Sequence, residues 1–97
     1  MDNLYSYITA AAPTTTIVCP KSCILDKITV NKATATGVIT VYDGETVANG
    51  TVVAIITSPA TLLQNQLTQH YGMHLKRGCT IVTSQAAQDI TVTYRVA

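Results

Sequence analysis

Gly37-Val38-Ile39-Thr40-Val41-Tyr42-Asp43-Gly44 reads as one strand closed at each end by a glycine. β-Branched and aromatic residues fill its middle, which suits a pleated, half-buried surface. Ile39 and Val41 face one way, and Val38, Thr40 and Tyr42 face the other. At its end, Asp43-Gly44 supplies a residue that tolerates positive φ, so the chain can reverse. Small and polar residues flank it on both sides, as in loops. A strand bounded in this way needs partners, and the rest of the chain supplies them.

Upstream, residues 24–31 read as the preceding strand. Ile28 and Val30 alternate with Thr29 and Asn31, but Ile24-Leu25-Asp26-Lys27 falls out of phase, and a bulge near Asp26 restores it. Residues 32–36 are few enough for this strand and the 37–44 strand to form an antiparallel pair. Further upstream, Thr14-Thr15-Thr16-Ile17-Val18-Cys19 is a strand ended by Pro20. Downstream, Asn49-Gly50 signals a tight turn into Thr51-Val52-Val53-Ala54-Ile55-Ile56-Thr57. That run is apolar on both faces. One side belongs in the core, and the other is expected under the N-terminal segment or against another chain.

Residues 60–65 read as a loop with a short turn, followed by an extended segment from Gln66 to Leu75. Thr80-Ile81-Val82-Thr83 is a short strand. In the last strand Ile90, Val92, Tyr94 and Val96 alternate strictly with Thr91, Thr93 and Arg95. Residues 1–13 carry Leu4, Tyr5, Tyr7 and Ile8 ahead of three alanines and Pro13. They read either as a first edge strand or short helix packed on their own domain, or as an arm whose tyrosines dock on a neighbouring subunit, since Tyr buries a ring while keeping a polar tip. The expectation is an all-β fold: a single antiparallel β-sandwich, jelly-roll or Ig-like, of about seven to eight short strands over residues 14–97, with residues 1–13 as the arm.

Composition agrees. Of 97 residues, 47% are hydrophobic and only 11% charged, so something other than charge must cover the surface. Seventeen threonines do so, being β-branched yet acceptable to water. Phe and Trp are absent, which leaves Ile, Val, Leu and five Tyr to build the core. A net charge of +1 gives no electrostatic footprint for nucleic acid. No apolar run approaches the ~20 residues of a membrane helix. The N-terminus lacks the pattern of a secretory signal, and three cysteines, an odd count, fit a reducing compartment.

Chemistry is sparse. Cys19, Cys23, His70 and His74 are of zinc-binding types, and the local spacing of each pair passes. The separation between the pairs matches no compact zinc module, so no metal site is expected. Two histidines four apart on an extended strand would share a face, and at a subunit contact their protonation would introduce like charges. Cys79 lies in strand-like sequence with no orienting partners, and the five carboxylates form no acid–base pair. No enzyme activity, catalytic residue or cofactor is expected.

Ile28-Thr29-Val30-Asn31, the 36–44 stretch, Gly78-Cys79-Thr80-Ile81-Val82-Thr83 and Asp89-Ile90-Thr91-Val92-Thr93-Tyr94-Arg95 together resemble small β-sandwich virion proteins of tailed bacteriophages. There a strand ending in a Val-Tyr-Asp-Gly-like turn precedes a Gly-x-Thr-Ile-Val-Thr-like strand and a final alternating one. The resemblance covers residues 24–97 and leaves out the arm and the His70–His74 segment. It implies a capsid decoration (cement) protein, commonly trimeric, made in the host cytoplasm. Such a protein sits on the outer capsid surface and bridges capsomers of the major capsid protein. Leu4, Tyr5, Tyr7, Ile8, His70, Tyr71 and His74 are the residues expected to make subunit or capsid contacts. A head–tail joining or head-fibre base protein on the same scaffold, and a carbohydrate-binding sandwich using Tyr42 or Tyr71, are the alternatives.

Overall fold

A computed structural model of the chain describes residues 4–9, 14–32, 37–57, 67–84 and 88–97. Eight strands account for most of them: β1 (Leu4–Ile8), β2 (Thr14–Cys19), β3 (Cys23–Lys32), β4 (Val38–Asp43), β5 (Thr51–Thr57), β6 (Leu67–Leu75), β7 (Cys79–Thr83) and β8 (Asp89–Val96). No helix occurs among the described residues.

β1 pairs with β8, β2 with β7, β3 with β6 and β4 with β5, all antiparallel. That is one long hairpin with residues 44–50 at its tip. The hairpin is rolled so that β3 also meets β8 and β4 also meets β7. Two four-stranded sheets result, in the orders β1-β8-β3-β6 and β2-β7-β4-β5. The fold is an all-β antiparallel sandwich with the strand order of a jelly roll.

Two expected neighbours are not neighbours. β3 and β4 do not form a hairpin, because β3 lies in the first sheet and β4 in the second. A short connection serves equally for a reversal within one sheet and for a step to a sheet about 10 Å away, so its length could not decide. Nor do the described residues of the N-terminal segment cover β5. Residues 4–8 extend the other sheet along β8, with Ile8 opposite Ile90 and Tyr7 opposite Thr91. Ile8 is buried at that edge. The turn expected at 60–65 lies outside the described residues.

The core lies between the sheets. Leu25, Ile28, Val92 and Ile90 from the first sheet face Ile39, Val41 and Ile81 from the second, all at 0–1% exposure. Tyrosines take little part, contrary to expectation. Tyr71 and Tyr94 only lean on the core, and Tyr5 and Tyr7 lie in solvent. Cys19, Cys23 and Cys79 fill the space instead, as small apolar groups.

The bulge expected near Asp26 is present. Leu25 pairs with Tyr94 and Lys27 with Thr93, so Asp26 is the extra residue against β8. It lets Cys23 and Leu25 face inward on one side of it and Ile28 and Val30 on the other. β6 answers with its own irregularity. Leu25 pairs with Met73 and Lys27 with His70, and Gly72 between them takes φ 61°. This phase change turns Tyr71 and Met73 toward the core and leaves both histidines exposed.

Candidate functional site

The two outer faces of the sandwich differ in chemistry. On the second sheet, two rows of side chains point away from the core: Thr15, Val82, Thr40 and Ile55, then Ile17, Thr80, Tyr42 and Val52. Ile55, Ile17 and Val52 are 60%, 53% and 47% exposed, where an alternating strand would ordinarily carry polar residues. Asp43 is the only charged residue in the four strands of this sheet. It sits at the end of β4, where its carboxylate accepts the Arg77 backbone N–H at 3.0 Å. Four strands about 4.8 Å apart and some five rows deep give a face of roughly 300 Å² in projection. Ile17, Val52 and Ile55, exposed among threonines on an uncharged face, make it the candidate contact surface.

Residues 44–50 close one end of this face. Gly44 donates its N–H to the Gly78 carbonyl at 3.1 Å, and the buried Thr80 hydroxyl donates to the Gly44 carbonyl at 2.9 Å. A hollow of about 320 Å³ beside the turn is lined by Gly44, Glu45, Asn49 and Arg77. Its carboxylate, amide and guanidinium all lie in solvent, so it lacks the desolvated polar group that a catalytic or ligand site uses.

The outer face of the first sheet is polar. One row holds Tyr5, Thr93, Lys27 and His70, the next Tyr7, Thr91, Thr29 and Thr68. Tyr7 donates its hydroxyl to Asp89 Oδ2 at 2.6 Å, and the Asn31 amide donates to Asp89 Oδ1 at 3.1 Å and to Thr91 at 2.9 Å. The carboxylate beside it raises the Tyr7 pKa above the usual tyrosine value. His74 Nε2 lies 2.7 Å from the Ser22 hydroxyl.

The contact residues expected from sequence divide between the two sides of the first sheet. Tyr5, Tyr7, His70 and His74 share its outer face, with Tyr5 and His70 in one row at opposite edges. Leu4 lies in the row of Leu25 and Tyr94, Ile8 is buried, and Tyr71 packs against the core. Tyr42, expected as a platform, is half-buried in the second sheet. Ile17, Val52 and Ile55 were not singled out. The signal for β5 was its double-sided apolar run. Ile17 gave none until β2 was placed beside β7.

Cys19, Cys23, His70 and His74 do not form one cluster, and no group of three or more side chains that could hold a metal ion exists among the described residues. The three thiols do gather, at the end of the core nearest residues 44–50. Cys19 is the register partner of Cys79, and Cys23 lies within hydrogen-bond reach of Cys19. Burial, reinforced by the neighbouring thiols and Asp43, pushes the Cys23 and Cys79 thiols up to about 12. Such thiols are inert packing groups. In the unfolded chain a thiol ionises near ~8.5. The stabilisation from keeping these two protonated is therefore complete below that pH and is lost as pH rises toward the folded value. The urea midpoint is expected to fall between pH 7 and pH 10, and native protein at pH 8 should leave both thiols unmodified by a thiol reagent. A midpoint that holds or rises at pH 10 would contradict this.

Comparison with protein-family models, with curated proteins and with solved structures finds no match to this chain.

Proposed function

We infer that the chain is a structural virion protein: a decoration (cement) protein on the outer surface of a tailed-phage head, bridging capsomers of the major capsid protein. The observation that carries this reading is the uncharged outer face of the second sheet, with Ile17, Val52 and Ile55 exposed. Laid on a capsid floor, that face loses apolar area to contact, while the polar face with Lys27, His70 and Asp89 turns to water. Jelly-roll strand order is compatible with the reading but does not select it, since viral capsid proteins, lectins and cupins share it. Each contact is modest in area, and several made at once on a symmetric shell give useful avidity.

The test mixes purified protein with undecorated phage heads. Cosedimentation with the heads, and a higher temperature for head disruption, is the expected result. Protein left in the supernatant at every ratio overturns the reading.

One observation favours a second reading. Tyr5 and Tyr7, 75% and 56% exposed, share a face with the Asp89 carboxylate and Asn31 amide, the groups a sugar-binding surface uses. Saccharide binding that disappears in Tyr5→Ala and Tyr7→Ala would favour a lectin-like role over the capsid.

A further inference from the structure

We propose that a second copy of this chain pairs antiparallel with β5 across a twofold axis, through the outward N–H and C=O groups of Ile55 and Thr57. The direction of those groups follows from β4. The Val38 carbonyl accepts the Ser84 N–H at 3.0 Å, and the Val38 N–H donates to Ser84 Oγ at 2.7 Å. Both groups of Val38 thus point to the β7 side. Backbone groups alternate along an antiparallel strand, so those of Ile39 point toward β5, where its register partner is Ile56. Ile55 and Thr57, one residue either side, turn theirs away from β4. Among the described strands β5 pairs with β4 alone.

The edge is built for its own copy. Near a twofold axis each residue meets itself, so a charge there would face a like charge. β5, TVVAIIT, has no charge and no proline, and six of its seven residues are β-branched. Edges are ordinarily blunted by charged residues and proline, and β5 has neither. The other three edges differ. β6 carries Gly72 and two histidines. β2 loses register after Ile17 and runs into Pro20 and Lys21. β1 is five residues long, with Tyr7 tied to Asp89. β5 has one irregularity, at Val53, and keeps register from 54 to 57. Four of the exposed apolar side chains, Val47, Val52, Val53 and Ile55, cluster on it and on the turn before it.

Area sets the strength. A seven-residue strand about 23 Å long on a sheet about 10 Å thick offers an edge of roughly 230 Å². That is well under the ~800 Å² per partner of a standard interface. The contact is therefore weak in dilute solution and strengthens when copies are held side by side. It does not depend on the capsid reading.

Sedimentation equilibrium of the full chain from about 10 µM to about 1 mM tests it without heads present. A monomer–dimer equilibrium is expected. Thr57→Pro removes one outward N–H per copy, leaves the β4 ladder intact, and should weaken dimerisation about tenfold. Ile55→Lys places like charges across the axis at a 60% exposed position and should weaken it at least as much. Tyr5→Lys on β1 should change nothing. Urea midpoints establish that each variant is folded, and Ile55→Lys carries the test if Thr57→Pro is not. A monomer at every concentration, a trimer that neither β5 variant alters, or a dimer lost in Tyr5→Lys alone would each overturn the proposal. A trimer that still binds heads overturns this contact and leaves the decoration reading standing. A dimer that ignores heads does the reverse.

Discussion

Leu25→Ala is expected to bring the protein close to unfolding. Leu25 is 0% exposed, and truncating a buried leucine costs about 2–5 kcal/mol, against a total of about 5–15 kcal/mol for a domain of this size. Deleting its neighbour Asp26 should cost less. Asp26 is the one residue by which β3 exceeds β8 between Leu25–Tyr94 and Lys27–Thr93. Without it those two pairs become consecutive, and Cys23, Leu25, Ile28 and Val30 fall on the core face by strict alternation. The deletion therefore keeps the core and the β8 ladder and disturbs only the pairing with β6. Asp26→Ala keeps the extra residue and should cost under about 1 kcal/mol. Circular dichroism and urea melts of the three variants make the comparison. A deletion variant that fails to fold while Leu25→Ala folds would mean that the bulge does more than absorb a surplus residue.

Gly78→Ala comes second in size. Gly78 takes φ 133°, and a Cβ there would stand 2.6 Å from the Cys19 carbonyl and 3.2 Å from that of Gly44. Both obstacles are backbone, at the point where β2, the 44–50 turn and β7 meet, so neither can swing aside. Strain of about 1–3 kcal/mol from the backbone conformation adds to the clash, and a loss of about 3 kcal/mol or more is expected. Gly72→Ala is the control. Its φ of 61° is also left-handed, but nothing lies within 4 Å of the added Cβ. About 1 kcal/mol should be lost there. Equal midpoints for the two variants would show that backbone crowding at Gly78 is not what fixes the glycine.

Much of the fold was legible because in-or-out alternation is a local property. Ile39 and Val41 announced the buried face of β4, and the out-of-phase Ile24 to Lys27 announced the bulge. Partner choice is not local. The short connection after β3 fitted a hairpin as well as a step between sheets, and only pairing across the whole chain, β1 with β8 through β4 with β5, separated them. The uncharged outer face was hidden for the same reason. Ile17, Val52 and Ile55 are 35 or more positions apart in part, and only β7 and β4 between them bring them onto one face. The thiol cluster joins residues 19, 23 and 79, which no spacing rule connects.

The most direct measurement is the affinity of face variants for undecorated phage heads. Ile17→Lys alters the outer face of the second sheet at the edge opposite β5, and Tyr5→Lys alters the outer face of the first sheet. Both positions are more than half exposed, so both variants should fold. The account predicts that Ile17→Lys lowers head binding tenfold or more, about 1.4 kcal/mol, while Tyr5→Lys binds as wild type. Binding lost in Tyr5→Lys and kept in Ile17→Lys would contradict it.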